Sequence, residues 1–135
     1  MNEPGRVLVD TNVWIDFLRK PLPELRELLK RRRVICHPCV IGEVLVGSPP
    51  NRAMIRQFLL SLPSAVEADF VQVLRMIETR GLAGRGLQWN DVLLLAAAKL
   101  SAARLWTRDR RLAVAADEFG IGWVEGVVKL TDENR

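Results

Sequence analysis

The amino-acid sequence predicts an α/β fold with a parallel sheet, on three observations. Short apolar runs, Val7-Leu8-Val9, Val34-Ile35-Cys36 and Arg104-Leu105-Trp106-Thr107, alternate with longer stretches whose apolar residues recur at helical spacing. Proline and glycine punctuate the boundaries between them. Acidic residues sit at several of those boundaries, where side chains converge at the end of a parallel sheet.

The elements follow in order. Val7–Asp10 reads as a buried strand. Asn12–Arg19 is a short helix that Pro21 stops. Pro23–Arg33 carries Leu22, Leu25, Leu28 and Leu29 at helical spacing with charges between them. Val34–Cys36 is a second strand, and Pro38–Val46 an apolar helix that ends at Gly47-Ser48-Pro49-Pro50. Asn51–Ser61 is amphipathic, with Met54, Ile55, Phe58 and Leu59 on one side. Pro63–Glu67 reads as an extended link, and Ala68–Thr79 as a helix on Phe70, Val73, Leu74 and Ile77. Gly81–Gly86 holds three glycines and forms a loop. Asn90–Ala102 is a strongly apolar helix, Arg104–Thr107 a strand, and Asp109–Phe119 a helix ended by Gly120. Gly122–Val124 starts a last short strand, and the polar tail Thr131–Arg135 is expected to fray. Nothing marks a linker or repeat, so residues 1–135 read as one domain.

Four acidic residues stand out against this frame. Asp10 ends the first apolar run, Glu43 lies inside an apolar helix, Asp91 opens a helix at Asn90-Asp91-Val92, and Asp109 follows the run Leu105-Trp106-Thr107. Each has a plainer role open to it. Asp10 and Asp109 suit helix N-caps, Asp91 suits the positive end of a helix dipole, and Glu43 suits a solvent face. Gathered together, they would repel one another, at about 4 kcal/mol for a pair 4 Å apart at an effective dielectric of 20. A cluster of this kind needs a cation or shared protons. Hard oxygen ligands favour Mg²⁺ or Mn²⁺, which orient phosphates and acidify bound water.

The chain has 135 residues, 49% of them hydrophobic and 27% charged, enough for a core and for solubility. No apolar run approaches the ~18 residues of a membrane span. The opening Met1–Arg6 leads straight into a strand rather than into a secretion signal, so a cytoplasmic location is expected. Net charge is +4, and 16 of the 20 basic residues are Arg, which grips phosphate in two-pronged fashion and stacks on bases. A basic chain with an acidic cluster suits an enzyme that holds a polyanion beside a metal.

Four segments carry a resemblance: Val7–Arg19 (VLVDTNVWIDFLR), His37–Ser48 (HPCVIGEVLVGS), Gly84–Lys99 (GRGLQWNDVLLLAAAK) and Leu105–Leu112 (LWTRDRRL). In order and spacing they resemble PIN-domain ribonucleases, most of all the VapC toxins of bacterial type II toxin–antitoxin pairs. The resemblance implies a compact PIN-like three-layer α/β/α sandwich around a mainly parallel sheet. It implies Mg²⁺- or Mn²⁺-dependent endonucleolytic cleavage of RNA, with Asp10, Glu43, Asp91 and Asp109 as catalytic and metal-binding residues. Asn12 and Thr107 match supporting polar positions, although many relatives carry Ser where this chain has Asn12. The implied partners are an RNA substrate, a cognate VapB-like antitoxin and a second copy of the chain. DNA would be met only through the antitoxin, and no membrane is involved.

Several residues have competing readings. Arg85, Arg108, Arg110 and Arg111 surround the motifs and are candidates for the RNA backbone. Arg31-Arg32-Arg33 reads as a solvated helix end. Trp14 and Trp89 lie near acidic positions, where core packing competes with base stacking. Asp16 and Asp117 read as surface residues, and His37 as a structural turn residue. Cys36-His37-Pro38-Cys39 has the spacing of a redox dithiol, so a thiol-disulfide oxidoreductase is one alternative function. A non-catalytic binding module on the same fold is another.

Overall fold

A computed structural model describes residues 5–128 and 130; the tail 131–135 lies outside the described residues. The three apolar runs form a parallel sheet of order β2-β1-β3, with β1 Val7–Val9, β2 Val34–Ile35 and β3 Arg104–Trp106. Val7 pairs with Val34 on one side and Arg104 on the other, and Leu8 with Ile35 and Leu105. Every β1 side chain is fully buried, which is why the run is apolar without alternation.

Seven helices complete the described fold: α1 Thr11–Arg19, α2 Pro23–Lys30, α3 Pro38–Val46, α4 Arg52–Ser61, α5 Phe70–Thr79, α6 Trp89–Leu100 and α7 Arg110–Glu118. α1 packs on α3 and α3 on α4, while α6 lies against β1 and β3 with α5 and α7 beside it. The result is a three-layer α/β/α sandwich. The core is aliphatic around Leu8, Leu25, Leu28, Leu95 and Leu105, with Trp14 and Trp106 sealed within it. Trp14 meets Phe17 and Phe58 edge-on at 5.8 and 6.0 Å, so it is a packing residue and not a base-stacking one.

Three expectations need correction. α2 ends at Lys30, not Arg33, because Arg32 turns left-handed (φ 58°) and the Arg33 N–H bonds back to the Leu28 carbonyl. Pro63–Glu67 is more than a link: Ser64 bridges Cys36 in parallel, extending the sheet edge by one residue pair. Gly122–Val124 forms no strand. Gly122 makes a single bridge with Leu105, and the chain then turns at Gly126 (φ 95°).

Strand order decides where a site can form. The chain leaves β1 for β2 on one side and reaches β3 on the other. The connections after β1 and β3 therefore diverge at their carboxyl ends, the place where sheets of this topology carry their binding crevice. Asp10 directly follows β1, and Thr107 directly follows β3.

Candidate functional site

Asp10 forms the floor of this crevice, with 6% of its surface exposed. It is the N-cap of α1, and its Oδ1 accepts the Thr11 N–H at 2.7 Å. Its Oδ2 accepts the Thr107 hydroxyl at 2.7 Å and the Asn12 amide at 3.3 Å. These donors are all neutral. Burial pushes the Asp10 carboxyl above the ordinary aspartate value; the Thr107 and Thr11 bonds pull it back, and the charges of Asp91 and Glu43 push it up again.

The other three carboxylates rim the crevice. Asp91, in the first turn of α6, accepts the Gln88 N–H at 2.8 Å. Its carboxyl is also raised, first by burial and then by the charges of Asp109 and Glu43, against the lowering effect of that bond. Asp109 is the exposed N-cap of α7 and accepts the Leu112 N–H at 3.1 Å. Glu43 projects from α3, where Thr11 donates a hydroxyl at 2.5 Å and Asn90 an amide at 3.0 Å. The four residues come from four separate stretches of chain; the charges of Asp91 and Glu43 are felt at Asp10, and those of Asp109 and Glu43 at Asp91. In this arrangement each is turned to its own donors. Among the described residues, no group of three or more His, Cys, Asp or Glu side chains is placed to hold a metal ion. Joint ligation requires side-chain rotation, and the donor set, oxygen throughout and carboxylate-rich, fits a hard divalent cation.

Asn12 and Thr107, expected from sequence as supporting residues, both bond Asp10. Thr107 Oγ1 donates to Asp10 and accepts the Asp109 N–H at 3.0 Å, while Asn12 Oδ1 accepts the Arg108 N–H at 3.0 Å. Thr11 and Asn90 were not singled out from sequence. Each adjoins an acidic residue in the chain, and that adjacency was the available signal.

Of the candidate RNA-binding residues, Arg110 is exposed on α7. Arg85 is paired with Glu118 at 2.8 Å, and the Arg111 side chain lies over Gly86. Arg108 is clasped by Glu125 and Asp16. Asp16 is therefore ion-paired rather than simply solvated. Trp89 is 43% exposed beside Phe70, with ring centroids 5.8 Å apart. His37 is buried and caps α3, its Nδ1 accepting the Cys39 N–H at 3.0 Å. Cys36 and Cys39 are free thiols, pushed up by burial to about 11 and about 12, the latter also by Glu43 and Asp10. Redox dithiols need the opposite shift, so the oxidoreductase reading loses its support. No helix among the described residues is long and apolar enough to cross a membrane.

Fold and cluster together define a class: an α/β sandwich with an acidic crevice at the switch point of its parallel sheet. Residues 7–118 match the family model described as PIN domain. The chain is 42% identical over 122 residues to "Ribonuclease VapC32" of Mycobacterium tuberculosis, in both the CDC 1551 / Oshkosh and H37Rv strains, covering 90% of this chain and 98% of the relative. The crystal structure of PAE2754 from Pyrobaculum aerophilum shares the fold, with TM-score 0.57 and 20% identity over 82% of this chain and 78% of that one. The chain belongs to the PIN-domain family, among the VapC-type ribonucleases.

Proposed function

We propose that this protein, as one PIN-like unit, is an Mg²⁺- or Mn²⁺-dependent endoribonuclease and the toxin of a toxin–antitoxin pair. The observation that carries the reading is Asp10: a carboxylate buried at the switch point, held only by neutral donors, facing the charges of Asp91 and Glu43. Such an arrangement opposes stability unless a cation offsets it. Asp10, Asp91, Asp109 and Glu43 would hold the ion. When bound, it would supply Lewis-acid stabilisation of phosphoryl charge and acidify water for attack on phosphorus.

The chain's own residues supply position. The Thr107 hydroxyl and the Thr11 N–H fix the two oxygens of Asp10. Thr11, on α1, and Asn90, on α6, each hold one oxygen of Glu43. Arg110, exposed one residue after Asp109, is the best placed cation for the RNA backbone. Arg85 would have to exchange Glu118 for phosphate, and Arg108 serves structure instead.

The names of the relatives support a VapB-like antitoxin partner. The acidic crevice gives a physical motive: it attracts an Arg or Lys side chain, which would exclude the cation and block the RNA path. A homodimer, a cytoplasmic location and DNA contact only through the antitoxin belong to the same reading. The test is cleavage of an RNA pool by purified protein with Mn²⁺, with Mg²⁺ and with chelator. Asp10→Asn and Asp91→Asn should each abolish cleavage while leaving the circular dichroism spectrum intact. A nuclease-free double variant that cuts at the wild-type rate would overturn the site assignment.

A further inference from the structure

The segment after α7 closes over the loop that carries Thr107 and Asp109. Arg108, between those two residues, commits its side chain to partners other than the four acidic residues. Its Nε and Nη2 donate to the two carboxylate oxygens of Glu125 at 2.8 and 2.9 Å, and its Nη1 donates to Asp16 Oδ2 on α1 at 2.7 Å. Glu125 is itself fixed by the indole N–H of Trp106 at 2.8 Å, and Trp106, fully buried, stacks on Trp123 with centroids 5.9 Å apart. One residue on, the Gly126 N–H bonds to Glu24 of α2 at 2.8 Å. All three arms of the guanidinium are used, and a two-pronged Arg–carboxylate pair fixes orientation as well as distance. The same residue's backbone N–H reaches Asn12, which bonds Asp10. Glu125 lies beyond residue 118, where the match to the family model ends.

We infer that Glu125 is a positioning residue for the crevice: through Arg108 it holds the Thr107–Asp109 loop so that the Thr107 hydroxyl meets Asp10 and the Asp109 carboxylate faces Asp91. The inference rests on the nuclease reading for its effect on rate, but not for its effect on the loop. An exposed ion pair that merely decorated the surface would contribute little and leave the crevice unchanged. This one bridges three elements, α1, the β3–α7 loop and the C-terminal segment, at a residue flanked on both sides by crevice residues.

Two arms test it, on the full chain. In the first, amide hydrogen exchange is followed in wild type, Glu125→Gln, Glu125→Asp and Arg108→Lys. The Arg108 and Asp109 amides should lose protection about tenfold in Glu125→Gln and Arg108→Lys, less in Glu125→Asp, with the β1 and α6 amides unchanged. In the second, RNA cleavage is measured under Mn²⁺. In Glu125→Gln, kcat should fall roughly tenfold, as for other groups that orient ligands indirectly, with KM within about twofold of wild type, and Glu125→Asp should recover part of the loss. Unchanged loop protection in both Glu125→Gln and Arg108→Lys overturns the inference. So does altered protection with unaltered kcat. If wild type itself cuts no RNA, the nuclease reading fails and the exchange arm still decides the loop. Arg108→Lys also guards against a Glu125 variant that fails to fold.

Discussion

Replacing Asp91 by Asn isolates the electrostatic strain of the crevice. The amide can still accept the Gln88 N–H, so the hydrogen bond at the start of α6 survives. What disappears is one negative charge facing three others, Asp109, Glu43 and the buried Asp10. Asp109 and Glu43 are exposed, so each of their repulsions belongs at the screened end of the scale, about 0.5–1 kcal/mol rather than the ~4 kcal/mol of a 4 Å pair at an effective dielectric of 20, and relief of Asp10 acts in the same direction. Against this gain of about 1–2 kcal/mol stands the lost attraction between a carboxylate and a helix N-terminus, about 0.3–1 kcal/mol. The net is a gain near 0.5–1 kcal/mol. For a chain of this length, 1 kcal/mol moves Tm by roughly 3–4 °C.

Asp91→Asn should therefore melt about 2–4 °C above wild type in chelator at low salt, and the difference should shrink in 0.5 M salt as screening grows. Asp69→Asn is the matched control. Asp69 caps α5 in a capping box with Gln72 but takes no part in the crevice. There only the charge–dipole attraction is lost, and Tm should fall by about 1–3 °C. Scanning calorimetry with and without Mn²⁺ is the assay. Added Mn²⁺ should raise the Tm of wild type more than that of Asp91→Asn. If Asp91→Asn melts as far below wild type as Asp69→Asn does, in chelator, then the carboxylates do not oppose one another and the metal-site argument loses its basis.

Other outcomes follow from the same geometry. The Asp10 and Asp91 carboxyls are raised above the ordinary 3.8, so folding favours their protonated forms; metal-free stability should decline as pH climbs from that value through the raised ones, and Asp10→Asn with Asp91→Asn should flatten that decline. Glu125 is lowered below 4.5, chiefly by its bonds from Arg108, so its contribution should be full above 4.5 and vanish as pH falls, a limb that Glu125→Gln removes. Thr107→Val deletes the hydroxyl that Asp10 accepts and should reduce cleavage about 10–100-fold, whereas Thr107→Ser should stay near wild type. Cys36→Ser with Cys39→Ser should retain cleavage and toxicity; lost activity with a normal circular dichroism spectrum would revive the dithiol reading. Antitoxin binding measured by calorimetry should weaken in Mn²⁺ and in Asp10→Asn, and indifference to both would place the inhibitory contact away from the carboxylates.

How much of this was legible in the chain depended on sequence distance. α3 was found at both ends, because Pro38 sits at its first turn and Gly47 just past its last. The sheet was legible because three short apolar runs admit no helical face. The end of α2 was not, since the left-handed residue that stops it is Arg32, where glycine is the usual signal. The Asp16–Arg108 pair joins residues 92 apart, and nothing local distinguishes a paired surface carboxylate from a solvated one. Glu125 lay outside every motif for the same reason. Thr11 and Asn90 were visible as neighbours of acids but not as the groups that hold Glu43, because that contact exists only once α3 packs against α1 and the start of α6.

The capping and metal readings of the aspartates look like rivals in the sequence; the fold shows the capping bonds, and these are compatible with the proposed metal site. Asp10 and Asp109 are N-caps, and Asp91 bonds the N–H that precedes its own helix. Three helix starts, of α1, α6 and α7, are thus aimed at one crevice, each bringing about half a positive charge in partial form. Each cap engages one oxygen of its carboxylate: Oδ1 of Asp10, Oδ2 of Asp91, Oδ1 of Asp109. That engagement fixes where the side chain stands and holds the charges apart. The attraction is about 0.3–1 kcal/mol per helix, less than the repulsion that close approach would bring. Helix dipoles alone can therefore gather the carboxylates around the crevice but cannot press them together. Closing that last distance takes a cation whose attraction exceeds both the repulsion and the cost of turning each side chain. On the proposed metal-site reading, the caps would assemble a set of anions that is orderly when alone and yields to a divalent ion, which is how an acidic cluster could fold before it is filled.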